Sequence, residues 1–121
     1  MAILILSVSY DQALLLTRQM MLEAQGYRVV SALGYKDAEK KCTSGNDYGL
    51  LVIGHSIPLE DKQALMELFR AKSEAPIVSL LRGGEAVMDG ADYHVSPDEP
   101  QALVQEIVNI VARDGRNGHA A

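Results

Sequence analysis

Short aliphatic runs alternate with longer amphipathic segments along the whole chain, and this alternation limits its fold more than any other feature. "ILILSV" (Ile3 to Val8) carries aliphatic residues on both parities, as a strand buried on both faces does. "QALLLTRQMMLEAQG" follows, with Leu14, Leu15, Met21 and Leu22 at helical spacing and Gly26 as the stop. The pattern then repeats. "YRVVSA" predicts a second strand and "YKDAEKKCTSG" a polar helix ending on Gly45. "YGLLVIG" predicts the third strand, and Pro58 leads into "EDKQALMELFRAK" as the third helix. "APIVSLL" and "ADYHV" read as strands four and five. "PDEPQALVQEIVNIVARDG" reads as the last helix, with Asp98 as its cap and Pro100 in its first turn.

Strands that alternate with helices require crossover connections, hence a parallel sheet covered on both faces. Five such units in 121 residues fit one α/β domain of flavodoxin-like, doubly wound order 2-1-3-4-5. The eight residues Arg82 to Asp89 between strands four and five include Gly83 and Gly84, so the fourth helix of that fold is expected to be shortened or missing. The domain is expected over 1–113, with 114–121 a disordered tail or linker stub.

Charge and composition exclude several functions. A net charge of −5 opposes non-specific nucleic-acid binding, and one Phe, five Tyr and no Trp make a poor stacking platform. Cys42 stands alone, which rules out an internal disulfide and suits a reducing compartment. "MAILILSV" is too short to span a membrane and has no basic leader, so a cytoplasmic location is expected, with no membrane partner. No nucleophile and base stand together, so no enzyme, metal or cofactor is expected.

In a doubly wound sheet, ligands gather at the carboxyl ends of the strands. Those ends carry Ser9, Tyr10 and Asp11; Gly54, His55 and Ser56; Leu81 and Arg82; Ser96 and Pro97. The same segments, "ILSV", "LEAQGYRVVSA", "LLVIGHSIP", "PIVSLL" and "GADYHVSP", in this order and spacing, resemble the receiver domain of bacterial response regulators over nearly the whole chain. The resemblance implies two-component or phosphorelay signalling, in which an aspartate ending the third strand takes a phosphoryl group. It also implies a divalent metal held by acidic residues after the first strand, a hydroxyl residue ending the fourth strand and a lysine ending the fifth.

This chain departs at those positions. Gly54 stands at the phosphoacceptor, Ser9 and Tyr10 at the acidic pair beside Asp11, Leu81 at the hydroxyl residue and Ser96 at the lysine. One carboxylate is a poor Mg²⁺ site. The expectation is a degenerate, or pseudo-, receiver that binds signalling partners, or a second copy of itself, without phosphorylation. Met88 and Tyr93 are the candidate interaction surface, Tyr93 standing at the family's switch aromatic. The alternative is a small-ligand or anion sensor using Ser9, His55, Ser56, Arg82 and Ser96. Serines at strand ends also commonly satisfy local backbone groups, and a loop histidine is more often hydrogen-bonded than reactive.

Overall fold

Five parallel strands form one sheet in the order β2-β1-β3-β4-β5. The structure, a computed structural model, describes residues 3–81 and 90–113. In chain order these are β1 (Leu4–Ser9), α1 (Gln12–Ala24), β2 (Arg28–Leu33), α2 (Tyr35–Cys42), β3 (Leu50–Ile53), α3 (Leu59–Lys72), β4 (Ile77–Leu80), β5 (Tyr93–Val95) and α4 (Pro100–Arg113). The doubly wound architecture and strand order are those expected from the alternation of elements. Among the described residues there are four helices; the segment expected to hold a shortened helix, and the tail from 114, lie outside them.

Strand parity divides the core in two. Leu6, Val8, Leu51, Ile53 and Ile77 face one side, where they meet Leu65, Met66 and Phe69 of α3. Ile5, Leu50, Val52, Val78 and Leu80 face the other, against Leu22 of α1 and Leu103, Ile107 and Ile110 of α4. The central strands β1 and β3 are therefore apolar on both parities, because helices cover both faces.

Element ends differ from the sequence pattern for local reasons. β1 runs one residue further, since Ser9 pairs with Leu33 of β2. Tyr27 is excluded from β2: its N–H donates to Leu22 O at 3.3 Å, closing the end of α1 around Gly26, whose φ of 95° is the left-handed value glycine tolerates. α2 stops at Cys42, and Thr43 Oγ1 turns back to Glu39 O at 3.0 Å. Asp98 is not the cap of the last helix. The first helical bond, Leu103 N–H to Glu99 O at 2.9 Å, puts the cap position at Glu99. Pro100 is then the first helical residue, where its missing N–H costs nothing.

Cys42 is buried at the end of α2, and burial pushes its thiol up to about 11. Its thiolate fraction at neutral pH falls accordingly, so a maleimide should label folded protein about a hundredfold more slowly than free cysteine. Labelling is expected to become fast across the urea transition; rapid labelling of the folded protein would contradict this burial.

Candidate functional site

β1 and β3 end side by side, with Val8 paired to Ile53 and the Gly54 N–H donating to Val8 O at 2.9 Å. β4 ends beside β3, and β5 beside β4. This is the edge at which the topology leads one to expect a crevice, and its residues are engaged as follows.

Ser9 is fully buried. Its hydroxyl accepts from Asp11 N–H at 3.0 Å and donates to Asp11 O at 3.2 Å, so it serves a local turn. Asp11 caps α1: its Oδ1 accepts from the N–H groups of Ala13 at 3.0 Å and Leu14 at 3.2 Å. The carboxylate left over at the acidic cluster is thereby committed to a helix end. Tyr10 donates its hydroxyl to Asp61 Oδ2 at 2.6 Å, joining the β1–α1 loop to the first turn of α3. Burial, and then the neighbouring Asp61 charge, hold this phenol protonated well above its ordinary range. Among the described residues no group of three or more His, Cys, Asp or Glu could hold a metal ion.

Gly54 is buried, with no positive φ to demand glycine. Its reason is steric. A Cβ there would lie 3.2 Å from Val8 O and 3.3 Å from Arg18 Nη1, both closer than ordinary contact. Arg18 thus takes the space in front of residue 54. It reaches this place because α1 runs antiparallel to the strands, and a long helical side chain leans toward the N-terminus of its helix. Arg18 is 6% exposed, and its Nη1 has no hydrogen-bond partner. Burial pulls the guanidinium's pKa down, while the Asp11 charge opposes that shift. A second cation comes from α3: Lys62, 3% exposed, donates to Ser79 Oγ at 3.3 Å and to Leu80 O at 3.2 Å at the end of β4.

The other expected site residues are spread along the same edge. His55 is partly buried and Ser56 exposed. Leu81 is partly buried, its N–H donating to Val95 O at 2.9 Å. Ser96 is exposed and accepts from Asp98 N–H at 3.3 Å, another local turn. Tyr93 is half-buried against the α4 side of the core, with the Arg113 guanidinium 5.6 Å from its ring centre. Arg82 and Met88 lie outside the described residues.

Sequence reasoning missed Arg18 and Lys62. The signal was present: Leu15, Arg18 and Leu22 share one stripe of α1, and Lys62, Leu65, Met66 and Phe69 one stripe of α3. A cation on an apolar stripe is the pattern to look for.

No family model and no curated protein matches the chain. Solved structures do. A CheY-like response regulator receiver domain protein from Methanospirillum hungatei JF-1 is similar over 98% of this chain and 100% of its own, with 21% identity and a TM-score of 0.78. A CheY-like receiver domain from Methylobacillus flagellatus matches over 92% of this chain and 99% of its own, at 18% identity and a TM-score of 0.77. A response regulator from Thermotoga maritima, in complex with Mg²⁺-BeF, matches over 90% and 97% at 24% identity and a TM-score of 0.74. The chain has the fold of these receiver domains across essentially their full length.

Proposed function

We propose that this chain is a pseudo-receiver, a cytoplasmic module of two-component or phosphorelay signalling that acts by docking a protein partner without being phosphorylated. The domain is taken as 1–113, and it is not an enzyme and takes no metal or other cofactor. The observation that carries the reading is the Gly54–Arg18 contact. A receiver of the phosphorylated kind needs a carboxylate at the end of β3 and acidic residues after β1 to hold a metal. Here the acceptor position has no side chain, and a guanidinium nitrogen stands 3.3 Å from where its Cβ would be. Asp11, the neighbouring carboxylate after β1, caps α1. Among the described residues no helix is long and apolar enough to cross a membrane.

Incubation with acetyl phosphate and Mg²⁺ should leave the intact mass unchanged, and sedimentation should report the same association state before and after. A stable gain of one phosphoryl group, lost in Asp11→Ala or His55→Ala, would return the chain to phosphotransfer. Gly54→Asp alone should not restore acceptance, because a phosphorylation site acts as a unit and its metal ligands and lysine are absent from the matching positions.

A further inference from the structure

A buried guanidinium nitrogen without a hydrogen-bond partner is costly. Taking a charge out of water costs several kcal/mol unless paired, and buried polar groups are ordinarily satisfied. Among the described residues the Arg18 Nη1 is buried without a hydrogen-bond partner; Asp11 acts on the guanidinium through its charge, its Oδ1 being held by Ala13 and Leu14. From the middle of α1 the Arg18 guanidinium reaches Gly54 at the end of β3, and the amine of Lys62 is delivered to the end of β4 on the same edge. The end of a receiver fold that gathers acidic side chains here presents buried cations.

We propose that Arg18 is the receptor for a small tetrahedral oxyanion, bound at the crevice edge between the start of α1 and the ends of β1 and β3. The planar guanidinium offers paired N–H donors that match two oxygens of a phosphate or sulfate, which chloride cannot do. Gly54 is part of the device. A carboxylate at that position would neutralise Arg18 from within the chain and compete with a dissolved anion. The inference goes beyond the proposed signalling role and does not depend on it, since anion binding and phosphoryl acceptance are read by different experiments.

The test is a titration with inorganic phosphate, ionic strength held constant with sodium chloride, followed by melting temperature and backbone amide chemical shifts. The expected result is a saturable shift of the Val8, Ser9 and Gly54 amides. A rise in melting temperature of roughly 5 °C at a tenfold excess over Kd should accompany it. Both responses should vanish in Arg18→Met, which keeps the straight apolar stem, removes the unpaired charge and should melt no lower than the parent without phosphate. They should also vanish in Gly54→Asp, which keeps the arginine and serves as the deciding variant if Arg18→Met fails to fold. Phenyl phosphate distinguishes a free anion from a phosphorylated side chain of a partner: a response to phosphate alone assigns the free ion, and an equal response assigns the ester. An unchanged response in either variant, saturable shifts away from this edge, or no saturable shift at all would overturn the proposal.

Discussion

Phe69→Ala is expected to lower stability by about 3–5 kcal/mol, the range for emptying a large aromatic site in a close-packed interior. Phe69 is 2% exposed, shares the α3 stripe with Leu65 and Met66, and has the Tyr48 ring 6.2 Å away. The site cannot easily collapse, because Tyr48 is itself held by its hydroxyl, which donates to Lys41 O at 2.9 Å. The same helix presents Asp61 to Tyr10 and Lys62 to the end of β4, so loosening α3 reaches the crevice as well. Urea denaturation followed by circular dichroism measures the loss. A midpoint shift equivalent to less than about 1 kcal/mol would mean that α3 packs differently.

Asp92→Ala should cost about 2–3 kcal/mol, more than a side chain on a short edge strand's approach would suggest. Its carboxylate accepts the Ile77 N–H at 2.7 Å and pairs with Arg70. Arg70 in turn donates to Ala75 O at 2.8 Å and to Gly90 O at 3.4 Å, so one arginine–aspartate pair ties the starts of β4 and β5 together. Ile77 is fully buried, and removing the carboxylate strands its N–H in the interior. Asp92→Asn keeps an acceptor oxygen and should recover more than half of the loss. Arg70→Ala should cost less than Asp92→Ala, because its pair with Asp92 is about a third exposed on the arginine side and solvent weakens it. Hydrogen exchange at the Ile77 amide gives a second readout: faster exchange is expected in Asp92→Ala and near-parent exchange in Asp92→Asn. Equal stability of the alanine and asparagine variants would show that the N–H bond carries none of the effect.

The candidate site was partly legible in the chain. Gly54 at the end of an aliphatic run, and Ser9, Tyr10 and Leu81 at the matching strand ends, follow from counting along strands. Asp11 looked like the remnant of an acidic cluster, yet a residue two positions after a strand and one before a helix is equally placed to cap that helix, and the cap is what forms. Ser9 and Ser96, candidates for a ligand, close turns with Asp11 and Asp98. Such bonds reach only two residues along the chain, and side-chain oxygens satisfy a neighbouring N–H before anything distant.

Everything that depends on periodicity was carried by the order of residues: the strands, the helices and the two-sided core. A strand apolar on both parities can be buried only under helices on both faces, whatever the details of its neighbours. The role of Gly54 was not of that kind. Nothing local distinguishes a glycine that allows a turn from one that admits a guanidinium. Arg18 lies 36 positions earlier in the chain, as its residue number and that of Gly54 show. Their meeting required β1 and β3 to pair, α1 to lie across that pair, and the arginine stem to extend toward the start of its helix. Where a charge ends up relative to a missing side chain is decided by packing between distant elements, and only the tertiary structure sets that distance.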